Sequence, residues 1–132
     1  MNKIIHGNSI EVLKTMERES VDLVVTDPPY LVNYRDREGR GVANDTNADG
    51  VLPAFAELYR VLKDNSLCIS FAGWTALDGF TNAWTQAGFK IVGHIVWTKD
   101  YASSKGQTAY HHESAYVLAK GWPCKPLKPL AD

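Results

Sequence analysis

The chain has 132 residues, with 14 Lys and Arg against 15 Asp and Glu, a formal charge of −1, two cysteines and 45% hydrophobic residues. That is enough chain for one domain, residues 1–132, to bury a core without disulfide or metal staples. The near-neutral charge and mixed composition exclude a uniformly basic nucleic-acid coat, a disordered tail and a collagen-like repeat, so any grip on nucleic acid must be local.

Cys68, in an apolar run, and Cys124, in a proline-rich tail, read as reduced thiols of a cytoplasmic protein. The apolar stretch at residues 1–7 is too short for a signal peptide, and no run approaches the roughly 20 apolar residues of a membrane span.

In chain order, Lys3-Ile4-Ile5-His6 is expected to form a short strand. Gly7-Asn8-Ser9 then turns into a helix with Val12, Leu13 and Met16 at helical spacing, and Asn8 with Glu11 has the pattern of a capping box. Val21-Asp22-Leu23-Val24-Val25-Thr26 is rich in β-branched residues and stops at Asp27-Pro28-Pro29-Tyr30, because proline cannot donate to a sheet ladder. Residues 31–50 are polar, with Arg35, Arg37 and Arg40 interrupted by Asp36 and Glu38. A connection of that length predicts a mobile, functional loop.

Residues 51–63 predict an amphipathic helix with Val51, Phe55, Leu58 and Leu62 on one face and Pro53 tolerated in the first turn. Leu67-Cys68-Ile69-Ser70-Phe71 follows as a strand. Thr75 with Asp78 suggests a second cap before Leu77, Phe80, Trp84 and Ala87, and Gly88 is the expected helix stop. Residues 90–97 and 115–119 read as two further strands joined by a polar loop, and the Pro-rich residues 121–132 as an extended tail. Strands alternating with helices predict an α/β sheet, mostly parallel, whose final strand pair is antiparallel. In such sheets the ligand site lies outside the carboxyl ends of the strands, which is where Asp27 falls.

A carboxylate, two proline carbonyl positions and an aromatic ring at a strand's end suit a planar ring bearing an amine. Asp27 and the Pro28 carbonyl can accept hydrogen bonds from an exocyclic –NH₂, turning the nitrogen lone pair outward, while Tyr30 stacks on the ring. Stacking contributes about 1–3 kcal/mol per base, comparable with the few kcal/mol needed to extrude a base from a duplex.

The strand and motif Val24-Val25-Thr26-Asp27-Pro28-Pro29-Tyr30 resemble the catalytic segment of the amino-methyltransferases that methylate adenine N6 or cytosine N4 in DNA with S-adenosylmethionine. The resemblance extends through His6-Gly7-Asn8-Ser9, where Asp is commoner than Asn8, residues 55–63, Ser70-Phe71-Ala72-Gly73-Trp74 and Trp97-Thr98-Lys99. It implies a partial Rossmann-like methyltransferase sheet and a catalytic site of Asp27, Pro28, Pro29 and Tyr30. It also implies cofactor contacts from Asn8 and Asp27, and double-stranded DNA as partner, gripped by Arg35, Arg37, Arg40, Lys99 and Lys105. Asp as first motif residue implies adenine N6, since Ser is usual for cytosine N4; RNA or protein amides more often go with Asn.

The family's Gly-rich turn around the methionine part of the cofactor has no counterpart before Asp132. The expectation is therefore a catalytic half in permuted order, stopping before the cofactor half. The strand edge so exposed would pair with a second copy or a complementing chain, or be covered by Lys3-Ile4-Ile5-His6.

The alternative is a catalytically silent remnant serving as a DNA-binding or oligomerising module. Other readings carry less. Asp27-Pro28-Pro29-Tyr30 can be a plain turn and Asn8 a plain helix cap. His111-His112-Glu113 lacks further ligands at metal-binding spacing, so no metal site is expected. Cys124 lacks the helix N-terminus that would activate a thiol nucleophile. Trp74, Trp84 and Trp97 read mainly as core, with Trp74 nearest the pocket, and Ser103, Ser104 and Tyr110 join Lys99 and Lys105 as candidate target-strand contacts.

Overall fold

The computed structural model describes residues 2–31, 38–41, 43, 47–103 and 106–128. Its elements are α1 (Ser9–Lys14), β1 (Val21–Thr26), α2 (Ala54–Val61), β2 (Leu62–Phe71), α3 (Leu77–Ala87), β3 (Lys90–Thr98) and β4 (His112–Lys120). The four strands form one sheet in the order β1-β2-β4-β3. β1 pairs parallel with β2, and β4 pairs antiparallel with both β2 and β3. Three strands thus run the same way, with one reversed strand inserted among them.

The α/β reading holds, including the antiparallel final pair, and several local expectations are corrected. Residues 3–6 are not a strand: no sheet neighbour reaches them, and Ile4 is 99% exposed. The helix expected over 51–63 is shorter, because Val51–Pro53 forms a turn and the chain becomes extended at Leu62. β2 therefore begins at Leu62, with an irregular stretch before its ladder with β1 resumes at Leu67. Asn65, within that stretch, sits at φ 57. Thr75 does not cap α3; a short helical turn, Trp74–Ala76, leads into it with no side-chain cap. By contrast, Asn8 does cap α1, its Oδ1 accepting from Ile10 N at 3.0 Å and Glu11 N at 3.4 Å. Gly88 ends α3 at φ +114, a conformation glycine adopts without steric cost. In the tail, described residues 121–128 carry neither helix nor strand.

The core lies on one face of the sheet. Val24, Cys68 and Leu118 project from adjacent strands in register against Phe55 of α2 and Phe80 and Trp84 of α3. Phe55 meets Phe80 and Trp84 edge-on at 6.1 and 6.0 Å, the geometry the ring quadrupoles favour.

Two cations tie the helices down. Arg60 donates to Leu13 O and Met16 O, carbonyls at and just beyond the end of α1. The Lys120 ammonium, buried, donates to Tyr59 O at 2.8 Å and Leu62 O at 2.6 Å where α2 runs into β2.

On the opposite face the register aligns Leu23, Leu67 and Ala119, then Val25, Ile69 and Val117. Leu23 and Val25 remain 52% and 63% exposed there, and β1 is an edge strand. Among the described residues no helix is long and apolar enough to cross a membrane.

Burial pushes the Cys68 thiol up to about 12, from the usual 9.0, whereas Cys124 is exposed. A disulfide reagent at pH 8 is expected to label one thiol per native chain and two after denaturation; two in the native state would contradict the packing. The unfolded thiol ionises first, so Cys68 supports stability fully below pH 9 and that support falls as pH climbs toward 12. Urea midpoints measured across that window, with Cys68→Ala as control, check the sign.

Candidate functional site at the carboxyl end of the first strand

Asp27-Pro28-Pro29-Tyr30 leaves β1 where the parallel register pairs Thr26 with Ser70. The equivalent exit from β2, Ala72-Gly73-Trp74, lies alongside. The prolines stop β1 from continuing, and Leu31, at φ 62, then turns the chain sharply. That left-handed conformation costs a non-glycine residue about 1–2 kcal/mol. Packing of Leu31 against the core offsets it. The sequence carries no signal for this strained residue, since glycine or asparagine is the usual marker of positive φ.

The Asp27 side is exposed, while Pro28, Pro29 and Tyr30 are half-buried. Tyr30 rests on the backbone of Gly73: a Cβ built there would lie 2.9 Å from the Tyr30 Cβ. This requirement for glycine also escapes sequence reasoning, because it comes from a neighbouring strand. The Tyr30 phenol is held protonated well above its usual range, chiefly by burial, then by its hydrogen bond to Asp27 and the charges of Asp27 and Glu113. The Asp27 carboxylate thus has a neutral phenol beside it. A carboxylate has four lone-pair positions, so it keeps capacity for a further donor.

β4 brings a second group of residues to the same rim. Ala72 N donates to Ser114 O at 3.3 Å, which sets Glu113 beside the exit of β2. The Lys99 ammonium lies 2.5 Å from Glu113 Oε1, donates to Ser103 Oγ, and sits 4.7 Å from the Tyr101 ring centre. Only 10% of its side chain is exposed, and the Glu113 carboxylate holds the ammonium above the usual lysine range. Lys99 N to His111 O and Ser103 N to Tyr110 O close the base of the loop between β3 and β4. Trp74 and Tyr110 meet edge-on above it, 6.4 Å apart.

The other sequence candidates distribute as follows. Arg35, Arg37, Ser104 and Lys105 lie outside the described residues. Arg40 is paired with Glu38 at 3.2 Å. Trp84 is core, Trp97 is exposed on β3, and Trp74 stands at the site. Among the described residues no group of three or more His, Cys, Asp or Glu is placed to hold a metal ion.

Asn8 uses its side-chain oxygen as the α1 cap. The groove it opens onto is lined by Lys3, Ile5, Glu11 and Thr15 among others, and does not include Asp27. A nucleoside-sized ligand normally has most of its surface enclosed. The groove at Asn8 lacks Asp27, so its lining does not by itself fit S-adenosylmethionine.

Comparison with known proteins agrees with this geometry. A family model for DNA methylases of the N6/N4 type matches residues 21–126. YubD of Escherichia coli K12, named as a methylase, is 48% identical over the whole of this chain, which covers 58% of YubD. The DNA adenine methyltransferase YhdJ of the same organism is 34% identical over 86% of this chain and 38% of its own length. The chain thus spans between about a third and three fifths of these relatives' lengths. In fold it is similar to TTHA0409 of Thermus thermophilus, a DNA modification methylase solved with S-adenosyl-L-methionine. The TM-score is 0.62 at 22% identity, over 94% of this chain and 56% of that one. With the family model covering residues 21–126, most of its length, the chain belongs to the N6/N4 DNA methylase family.

Proposed function

We propose that this chain supplies the base-orienting half of an S-adenosylmethionine-dependent DNA methyltransferase that acts on adenine N6. The observation that carries the reading is the exposed Asp27 carboxylate at the end of β1, with Tyr30 of the same tetrapeptide seated on Gly73. Asp at the first motif position favours adenine over cytosine, and the adenine specificity in the name of YhdJ supports the same choice.

In this mechanism a base extruded from the duplex brings its exocyclic amine to Asp27 and the Pro28 carbonyl. Both accept N–H bonds, which fixes the nitrogen lone pair outward. The nucleophile is the nitrogen itself, so the protein's task is orientation rather than covalent catalysis. When bound, S-adenosylmethionine would supply the electrophilic methyl group, its S–CH₃ bond giving way to the new N–CH₃ bond and its sulfur leaving as the neutral thioether. After transfer, the amine proton passes to solvent or to Asp27. Phosphate contacts from Arg35, Arg37, Arg40 and Lys105 are part of the reading. For Lys99 to contribute, phosphate would have to compete with Glu113.

The uncovered flank of β1 favours a second component: a strand from the longer polypeptide typical of the relatives, from a complementing chain or from a second copy. A strictly monomeric mass by light scattering at high concentration would remove the second copy from consideration.

Tritiated-methyl transfer to mixed-sequence DNA tests the activity. Asp27→Ala is expected to lower kcat about 10²- to 10³-fold, as for loss of an oriented polar group at a reacting centre. Tyr30→Ala should cost about 10- to 100-fold by loss of stacking. Gly73→Ala should displace Tyr30 and mimic that loss while leaving the far-ultraviolet spectrum unchanged. Full activity in Asp27→Ala would overturn the proposal. Absence of both transfer and calorimetric S-adenosylmethionine binding would favour the silent binding module.

A further inference from the structure

Trp74 is an aromatic residue at the rim that orientation of the amine does not use. It follows Gly73, the residue on which Tyr30 rests, and is 68% exposed. Its position is nonetheless fixed. Tyr110 meets it edge-to-face with the ring planes at 89°, and Tyr110 is itself 5.7 Å from the His112 ring. An edge-to-face contact occupies at most one face of the indole. Beyond it stands Tyr101, 66% exposed, over which the Lys99 ammonium lies. Trp74 thus adjoins the proposed base site through Gly73, against which Tyr30 packs. The Lys99 cation is committed to Glu113. Among the described residues this rim presents exposed rings, and such rings bind bases by their π faces.

We infer that Trp74, braced by Tyr110, is a second stacking platform, which holds the unpaired base next to the target in the substrate strand. The inference rests on the base-orienting reading of Asp27 and Tyr30. It makes the preferred ligand a strand that is already single over more than the target base, because a duplex must spend part of the stacking energy on opening that second pair.

Fluorescence anisotropy of a labelled mixed-sequence 12-nucleotide single strand, and of the same sequence as duplex, tests it on the full chain. The single strand is expected to bind at least about fivefold more tightly. Trp74→Ala and Trp74→Leu should weaken single-strand binding by about 5- to 150-fold, the usual range for loss of one stacked base. Trp74→Phe should retain most of the affinity. Trp122→Ala, at an exposed tryptophan that instead stacks under Lys90, should change nothing. Leu retains bulk, so its failure to rescue separates stacking from support of the fold, and thermal melting checks that both variants stay folded.

The inference is overturned if Trp74→Ala and Trp74→Leu bind as the wild type, if Trp122→Ala loses as much, if duplex binds equally well, or if no oligonucleotide binds. Methyl transfer with unchanged binding in Trp74→Ala removes this inference alone. Trp74-dependent binding without any methyl transfer removes the catalytic reading alone.

Discussion

The parallel ladder between β1 and β2 is the constraint on which the site depends. Because Val24, Val25 and Thr26 pair in order with Cys68, Ile69 and Ser70, the two strands end together. Asp27-Pro28-Pro29-Tyr30 and Ala72-Gly73-Trp74 therefore leave the sheet side by side. A slip of one residue would turn Val24 out of the core and carry Tyr30 off Gly73. The register is held by burial: Val24 and Cys68 face Phe55, Phe80 and Trp84, and moving them to water would forfeit about 1.5–3 kcal/mol for each large side chain involved. The position of the Asp27 carboxylate is in this sense decided by hydrophobic packing several residues away.

The rim shows a division between fixed and available polar groups. Lys99, Glu113 and Ser103 satisfy one another and close the loop between β3 and β4. Among the described residues, the Asp27 carboxylate and the faces of exposed rings such as Trp74 and Tyr101 stay open to an incoming molecule.

Much of this was legible in the sequence, and for identifiable reasons. The β-branched run of β1, the apolar spacing of α2 and α3, and Gly88 as a stop report local preferences that tertiary structure did not oppose. The motif was legible because its prolines make its conformation largely independent of context. Lys3-Ile4-Ile5-His6 was misread because its apolarity reports a need for a neighbour, and no strand lies beside it. The Thr75 cap failed because the chain enters α3 through a tighter helical turn. Gly73, the strained Leu31 and the Lys99–Glu113 pair were not legible, since each depends on a residue brought from another strand or on packing of the turn. The four-residue motif could be read from sequence, but not the surface on which it rests.

The reversed strand has an evolutionary consequence. Since β4 returns between β2 and β3, the loop joining β3 to β4 is anchored at both ends on the rim, with the hydrogen bonds from Lys99 and Ser103 closing its base. None of the described residues of this loop is buried. Such a segment can be exchanged, lengthened or rewritten as a cassette while the strand ends beneath it stay in register. Sequence change can then accumulate at this loop without disturbing the position of Asp27.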